Sequence, residues 1–135
     1  MKGRALGLDF GHKRVGVAIS DELRIAAHAL MVVPRREAPA RVADLVEEYG
    51  VIEIVIGLPT SLSGQEGESA RAARDFGREI EEATGLAVTW VDERFTSKDA
   101  ERVMLEAGTR RRARRANLDK VAATVILQSF LDRRR

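Results

Sequence analysis

The chain has 135 residues, a net charge of +2 and 44% hydrophobic residues, which is the length and composition of one globular domain over residues 1–135. It contains no cysteine, which excludes disulfides, thiolate metal sites and cysteine nucleophiles. Asp9 and Gly11 interrupt the N-terminal apolar run, and no run approaches the roughly 20 apolar residues of a membrane span. We therefore expect a cytoplasmic protein with no membrane contact.

The first part of the chain predicts three strands. Residues 4–10 and 14–20 are apolar runs with β-branched content, and the short Gly11–Lys13 segment between them indicates a hairpin. Residues 25–33 form a third apolar run, which Pro34 ends.

The rest of the chain predicts alternating helices and strands, each bounded by turn or cap residues. The first of these elements are a helix over 38–49 closed by Gly50, a strand over 52–56, a loop over 57–67 with a capping box at Ser63 and Glu66, and a helix ending near Gly85. The later elements are a strand over 86–91, a helix from Thr96 to Ala107 closed by Gly108, an arginine loop over 109–116, and a final helix capped by Asn117 that runs to about Leu131.

This order of elements, βββ-α-β-α-β-α-α, predicts an α/β domain. A three-strand meander followed by two βα units favours a mixed five-stranded sheet with helices on both faces. Ligands of such sheets usually bind at the carboxyl ends of the strands. We therefore expect a functional site at that edge.

Asp9 lies in the otherwise apolar first strand. By alternation Leu6, Leu8 and Phe10 share one face, and Asp9 lies on the other face beside small residues. A buried ionised carboxylate needs a cation or a donor because its desolvation is costly. A salt bridge to an arginine, or capping of the turn at Gly11, would satisfy it equally well.

Two further acids are placed where they could join Asp9. Glu93 directly follows the fifth predicted strand, although a polar turn would also explain it. Asp119 lies in the predicted first turn of the last helix, where the macrodipole favours an acid. The residues three, four and seven positions later are apolar, which turns Asp119 toward the core: Ala122, Ala123 and Ile126.

These three acids can converge only if the last helix packs across the sheet near the first strand. Carboxylates suit Mg²⁺ or Mn²⁺, and two such ions can clamp the attacking and leaving oxygens of a phosphodiester. His12 and His28 lack zinc-ligand spacing, and no Ser-His-acid pattern is present. The acids therefore predict a metal-dependent phosphodiester hydrolase with two ions.

Two loops offer candidate phosphate contacts. The segment TRRRARRA at 109–116 contains five arginines, whose planar guanidinium groups suit phosphate, although a solvated charged loop is the alternative: Arg110, Arg111, Arg112, Arg114 and Arg115. The loop that contains Thr60 joins a buried strand to a helix and could bind phosphate through backbone N–H groups. An ordinary βα loop explains it equally well.

Four segments resemble the YqgF family, also called the RuvX or Holliday-junction-resolvase-like family. They are LDFGHKRVGVAISD (8–21), GLPTSLSGQEG (57–67), DERFTSKDAE (92–101) and LDKVAATVILQSFLD (118–132), and together they span nearly the whole chain in order. The resemblance implies a ribonuclease H-like fold and maps the family's acidic positions onto Asp9, Glu93 and Asp119. It also implies a place near bound phosphate for Gly11, Lys13, Arg14, Arg94, Thr96 and Ser97.

The family has been described both as Holliday junction resolvases acting in DNA recombination and repair, and as nucleases that mature the 5′ end of pre-16S rRNA. We favour rRNA processing, and therefore a role in ribosome biogenesis. Symmetric cutting of a four-way junction suits a dimer, and the sequence of this small domain shows no evident stripe of residues for dimerisation. The expected partners are nucleic acid, as precursor rRNA or branched DNA, and the ribosome, with the protein a monomer or weak homodimer.

Two other classes of protein remain as alternatives. The DFG sequence before a hairpin also resembles the first phosphate loop of sugar-kinase and actin-type ATPases, but those enzymes close two domains over the nucleotide and 135 residues provide one. A non-catalytic nucleic-acid clamp built on the arginine segment would bind without metal and would not cleave.

Overall fold

The computed structural model describes residues 2–58, 67–92 and 111–134, with side chains in the last segment from Lys120 onward. In chain order the elements are β1 (Arg4–Phe10), β2 (Arg14–Ser20), β3 (Ala27–Pro34), a 3-10 turn (Arg35–Glu37), α1 (Ala38–Tyr49), β4 (Val51–Leu58), α2 (Glu68–Thr84), β5 (Val88–Asp92) and α3 (Arg111–Arg133). No helix within these described ranges is both long and apolar enough to cross a membrane.

The five strands form one mixed sheet in the order β3-β2-β1-β4-β5. β2 pairs antiparallel with both β1 and β3, whereas β4 pairs parallel with both β1 and β5. The predicted meander with two added parallel strands is therefore confirmed. The first strand lies at the centre of the sheet, with two strands on either side.

A separate hydrophobic core covers each face of the sheet. On one face α1 and α2 bury the larger side chains of the strands, and Leu8, Ile56 and Phe76 are fully buried there. On the other face α3 packs on smaller residues such as Ala5 and Ala18. Each fully buried leucine, isoleucine or phenylalanine stabilises the fold by roughly 1.5–3 kcal/mol. The predicted placement of helices on both faces is confirmed.

Glycines end two of the helices as the sequence predicts. Gly50 after α1 has φ 65°, and its N–H donates to the carbonyl oxygen of Val46. Gly85 after α2 has φ 75°, and its N–H donates to the carbonyl oxygen of Glu81 at 2.8 Å. Both residues adopt the left-handed conformation that other side chains avoid, so each reverses the chain into the following strand.

The predicted starts of two helices are wrong. α2 begins at Glu68 with Gly67 at the N-cap and no side-chain cap, rather than from the capping box at Ser63 and Glu66, which lie outside the described residues.

Residues 111–116, predicted as an arginine loop, are helical, so Asn117 is internal to α3 and is not its cap. Arginine and alanine are strong helix formers, and this local preference outweighs the repulsion among the charges. The predicted helix from Thr96 to Ala107 lies outside the described residues.

The third strand begins two residues later than predicted because a turn precedes it. The Asp21 carboxylate accepts hydrogen bonds from the backbone N–H groups of Leu23 (3.2 Å), Ile25 (2.8 Å) and Ala26 (2.8 Å). Arg24 within this turn has φ 56°, which is unusual for a residue other than glycine. These bonds occupy donors that a strand would use in its ladder, so pairing starts at Ala27.

Candidate active site

Asp9 is the next-to-last residue of the central strand and lies on the face that α3 covers. It pairs with Gly16 of β2 and is half-buried. Ala5, which lies earlier in β1 on the same face as Asp9, belongs to the core under α3. Leu6 and Leu8 belong to the core on the opposite face. The predicted alternation of β1 is therefore confirmed, and Asp9 is placed at the carboxyl edge of the sheet beneath the last helix.

α3 crosses β1 at Gly7, two residues before Asp9. A methyl group at Gly7 would lie 2.7 Å from Cβ of Leu127 and 3.0 Å from the carbonyl oxygen of Ala123. Only glycine permits this approach of helix to strand, because both neighbouring atoms are at or near the helix backbone. The predicted packing of the last helix across the first strand is confirmed.

The contacts at the other end of α3 fix its direction. Arg134 forms an ion pair with Glu53, and Glu53 is the β4 partner of Ala5 near the start of β1. α3 therefore runs opposite to β1, and its earlier residues lie toward the carboxyl edge of the sheet. Asp119 precedes Ala123 by one helical turn, about 6 Å along the axis. Its backbone thus lies on the Asp9 side of the crossing, whereas its side chain is outside the described atoms.

The third predicted acid, Glu93, lies outside the described residues, but the strand that leads to it is described. Leu8 aligns with Ile56, and Ile56 aligns with Trp90, so Asp9 and Val91 lie at the same level on either side of β4. Two strand spacings separate them, about 10 Å. Val91 is buried in the core under α3, so it shares the face of Asp9.

The β1–β2 hairpin lies at the same edge of the sheet. Gly11 is required at its start, because a Cβ there would lie 2.5 Å from the carbonyl oxygen of Arg14. Lys13 is exposed at the tip, and Arg14 begins β2 as the partner of Pro34 in β3. Gly11, Lys13 and Arg14, three of the residues predicted near phosphate, are thus brought to the edge that carries Asp9.

The side chains of the other predicted phosphate contacts lie outside the described atoms. Arg111, Arg112, Arg114 and Arg115 belong to the first turns of α3, but only their backbone is described. Another group lies outside the described residues: Thr60, Arg94, Thr96, Ser97 and Arg110.

One contact of this edge was missed by sequence reasoning. The guanidinium carbon of Arg35 lies 4.8 Å from the ring centroid of Phe76 and 5.6 Å from that of Phe10, and Arg35 forms an ion pair with Glu79. The Arg35 N–H also donates to the carbonyl oxygen of Lys13 at 2.9 Å. The signal in the sequence was weak, since Arg35 follows Pro34 as an ordinary polar turn residue.

Asp21, an acidic group with a lowered pKa, lies away from this edge. Backbone hydrogen bonds, the one from Ala26 foremost, hold the pKa of Asp21 below its ordinary value. Asp21 follows β2, whose end lies beside the start of β1, so this carboxylate organises the β2–β3 turn at the opposite edge of the sheet. Across residues 2–58, 67–92 and 120–134, no three metal-binding side chains cluster, and Asp9 is the one predicted ligand whose side chain is described.

Comparison with known proteins identifies the family. The model of the RuvX family, described as Holliday junction resolvase, matches residues 3–133. This chain belongs to the RuvX family. A relative from Moorella thermoacetica with the name "Putative pre-16S rRNA nuclease" is 47% identical over 96% of this chain and 95% of its own length. A relative of the same name from Agathobacter rectalis is 44% identical over 96% of this chain and 94% of its own.

Solved structures place this RuvX-family chain in the ribonuclease H-like fold that the resemblance implied. Thermus thermophilus RuvC in complex with a Holliday junction substrate superposes with a TM-score of 0.63, at 15% identity, over 98% of this chain and 96% of that chain. The large terminase nuclease of thermophilic phage G20c gives a TM-score of 0.58, at 14% identity, over 95% and 82%. At this level of identity the likeness concerns the fold.

Proposed function

We propose that this RuvX-family protein is a metal-dependent nuclease that hydrolyses phosphodiester bonds in structured RNA and processes the 5′ end of pre-16S rRNA in the cytoplasm, in association with the ribosome. The observation that carries the proposal is the packing of α3 across β1 at Gly7. Because α3 runs opposite to β1, the backbone of Asp119 lies toward the carboxyl edge of the sheet, where Asp9 is. Relatives at 39–47% identity that have the pre-16S rRNA nuclease name support the choice of substrate.

The ligands in this proposal are the carboxylates of Asp9, Glu93 and Asp119. Oxygen donors of this kind fit Mg²⁺ or Mn²⁺, and the absence of cysteine from the chain excludes thiolate donors. Two such ions, when bound, supply an activated water and stabilise the leaving oxygen. By the alternation that buries Val91 under α3, we expect Glu93 on the face of Asp9.

The chain's own contribution is to fix these carboxylates. Asp9 lies on the central strand and pairs with Gly16 of β2, and Leu8 directly before it pairs with Ile56 of β4, so the strand is held on both sides up to the residue before Asp9. The close packing of Gly7 against α3 fixes the position of this helix, which carries the proposed ligand Asp119. A site built on a strand and a helix holds its geometry more accurately than one built on loops. The basic residues of the hairpin, Lys13 and Arg14, would hold the phosphate next to Asp9 and neutralise its charge.

A second candidate substrate is a four-way DNA junction. The description of the matching family as Holliday junction resolvase favours it. The two substrates require the same carboxylates and differ in the nucleic acid that the surface accommodates, so a direct comparison of substrates decides between them.

The experiment incubates purified protein with a precursor rRNA that carries the 5′ leader and, separately, with a synthetic four-way junction. Each is supplied with Mg²⁺, Mn²⁺ or a chelator. We expect cleavage of the rRNA precursor with metal and none with the chelator. Preferential cutting of the junction would contradict the proposed substrate, and binding without cleavage of either would establish the clamp alternative.

Asp9→Asn is the matching variant, and Asp44→Asn is its control because Asp44 is an exposed aspartate on α1. Asp9→Asn should abolish cleavage while the protein stays folded by circular dichroism. It should also weaken Mn²⁺ binding measured by calorimetry in the absence of RNA. Cleavage by Asp9→Asn at the rate of Asp44→Asn would refute the metal-site assignment.

A further inference from the structure

Four basic residues meet where the β1–β2 hairpin contacts the end of β3. We call Lys13, Arg14, Arg35 and Arg36 the basic corner. The backbone joins them, because Arg14 pairs with Pro34 and the Arg35 N–H donates to the carbonyl oxygen of Lys13 at 2.9 Å. Residues more than 20 positions apart in sequence are thus held at one corner of the sheet, with Arg14 on the face of Asp9 and Arg35 on the face of Phe10 and Phe76.

Arg35 braces this corner against the core. Its guanidinium packs over the rings of Phe76 and Phe10, and its ion pair with Glu79 ties it to α2. The carboxylate of Glu79 compensates the Arg35 charge, so Lys13 and Arg36 supply the positive charge that an anion would meet. Lys13, Arg14 and Arg36 are exposed. A patch with a fixed backbone loses little conformational entropy when it binds a ligand.

The corner begins beside Asp9 and extends away from it. Asp9 pairs with Gly16 in β2, and Arg14 is two residues before Gly16, on the same face of the sheet. The next strand, β3, ends at Pro34, directly before Arg35 and Arg36. From Asp9 to the end of β3 the sheet spans two strand spacings, about 10 Å. Nucleic acid rises about 3.4 Å per nucleotide in each strand, so this distance corresponds to about three nucleotides.

The surrounding charges favour an anion at this end of the sheet. The four basic side chains of the corner outnumber the acids described next to them, which are Asp9, the exposed Glu37 and the ion-paired Glu79. At the opposite edge of the sheet Arg24 and Arg134 form ion pairs with Glu53.

We propose that the basic corner binds backbone phosphates of the nucleic acid on one side of the cleaved bond, so that the substrate runs from Asp9 across β2 to the end of β3. The proposal rests on the proposed function and adds to it a direction for the substrate and a phosphate contact at Arg36. Arg36 acts as a binding residue for the phosphodiester backbone, and Arg35 acts as a positioning residue that holds Arg36 and Lys13 in place.

The test measures binding separately from cleavage. A fluorescein-labelled RNA stem-loop with single-stranded tails is titrated with protein in a chelator, and anisotropy reports the affinity at several salt concentrations. Arg36→Glu should weaken binding by about three- to tenfold, and Arg36→Ala should lower the slope of log affinity against log salt by about 0.7–0.9, the value of one lost phosphate contact. Lys2→Glu is the control, since Lys2 is an exposed cation at the opposite edge with the same change of charge.

Each outcome bears on the proposal. Equal affinities of Arg36→Glu and Lys2→Glu, with both proteins folded by circular dichroism, would overturn the basic corner as a binding surface. No binding by the wild-type protein would overturn it as well. Binding that is weakened by Arg36→Glu, without cleavage by the wild type under any metal, would support the corner and refute the nuclease. Cleavage with unaltered Arg36→Glu binding would support the nuclease and refute the corner.

Discussion

Gly7 of β1 and Leu127 of α3 approach so closely that a methyl group on Gly7 would lie 2.7 Å from the Leu127 Cβ atom. The carbonyl oxygen of Ala123 lies 3.0 Å from the same position. Neither atom can rotate away, since one is a Cβ and the other belongs to the helix backbone. This contact sets the height of α3 above the sheet, and with it the distance between the strand of Asp9 and the helix of Asp119.

Gly7→Ala should therefore displace α3 and destabilise the fold. Overpacking of this kind lowers the free energy of unfolding by about 1–3 kcal/mol, measured by urea denaturation. Gly67→Ala is the control, because nothing lies within 4 Å of its new methyl group. An equal loss of stability in the two variants would show that α3 tolerates a wider separation from β1.

Gly11→Ala should reduce cleavage more than it reduces stability. The new Cβ would lie 2.5 Å from the carbonyl oxygen of Arg14, so the hairpin that carries Lys13 must shift. Misplacement of a positioning group by about 1 Å can lower a rate by about a hundredfold. Two quantities are measured on the same variant: kcat/KM for cleavage of the rRNA precursor, and the melting temperature. A rate that falls only in proportion to the folded fraction would argue against a role of the hairpin in the reaction.

Gln128 ties α3 to the start of β3, and its removal should destabilise that junction. Its Oε1 accepts from the Ala27 N–H at 2.8 Å, and its Nε2 donates to the Ile25 carbonyl oxygen at 3.0 Å. Gln128→Ala leaves the part-buried Ala27 N–H without this acceptor, which lowers the free energy of unfolding by about 1–3 kcal/mol in urea. Asp132→Asn changes only the exposed partner of the Gln128 Nε2 (2.9 Å) and should lose less. The reverse order of the two variants would contradict this assignment.

The Asp21 turn should make stability depend on pH below neutrality. Its backbone hydrogen bonds lower the pKa of Asp21 from an ordinary value of 3.8, so folding favours the ionised carboxylate. This contribution is fully present above the unfolded pKa and is lost as the pH falls through the lower folded pKa. The melting temperatures of the wild type and Asp21→Asn should thus differ by a constant amount near neutral pH. Below about pH 4 the difference should shrink, and a difference that grew there would have the wrong sign.

The parts of the fold that the sequence predicted well depend on strong local patterns. The two faces of β1 differ sharply in side-chain size, so alternation placed Leu8 and Asp9 on opposite faces correctly. The glycines after α1 and α2 marked the helix ends because few other residues adopt their positive φ angles.

The predicted start of α3 is wrong because charge alone does not decide local structure. The helix propensities of arginine and alanine favour a helix over residues 111–116. The direction of α3 over the sheet could not be predicted from sequence, since it depends on the contact at Gly7 and the ion pair of Arg134 with Glu53. The contact of the Arg35 guanidinium with the Phe76 ring was not predicted, because the two residues are distant in sequence and only strand pairing and helix packing bring them together.

The central position of β1 has a consequence for how this protein loses activity. A strand flanked by two neighbours on either side belongs to the part of a domain whose amide protons exchange with solvent only when the whole domain opens. Fraying of an outer strand, β3 or β5, therefore does not release the strand of Asp9. Heat or urea should accordingly abolish the metal-binding function attributed to Asp9 at the same midpoint as global denaturation, with no inactive but otherwise native form preceding it.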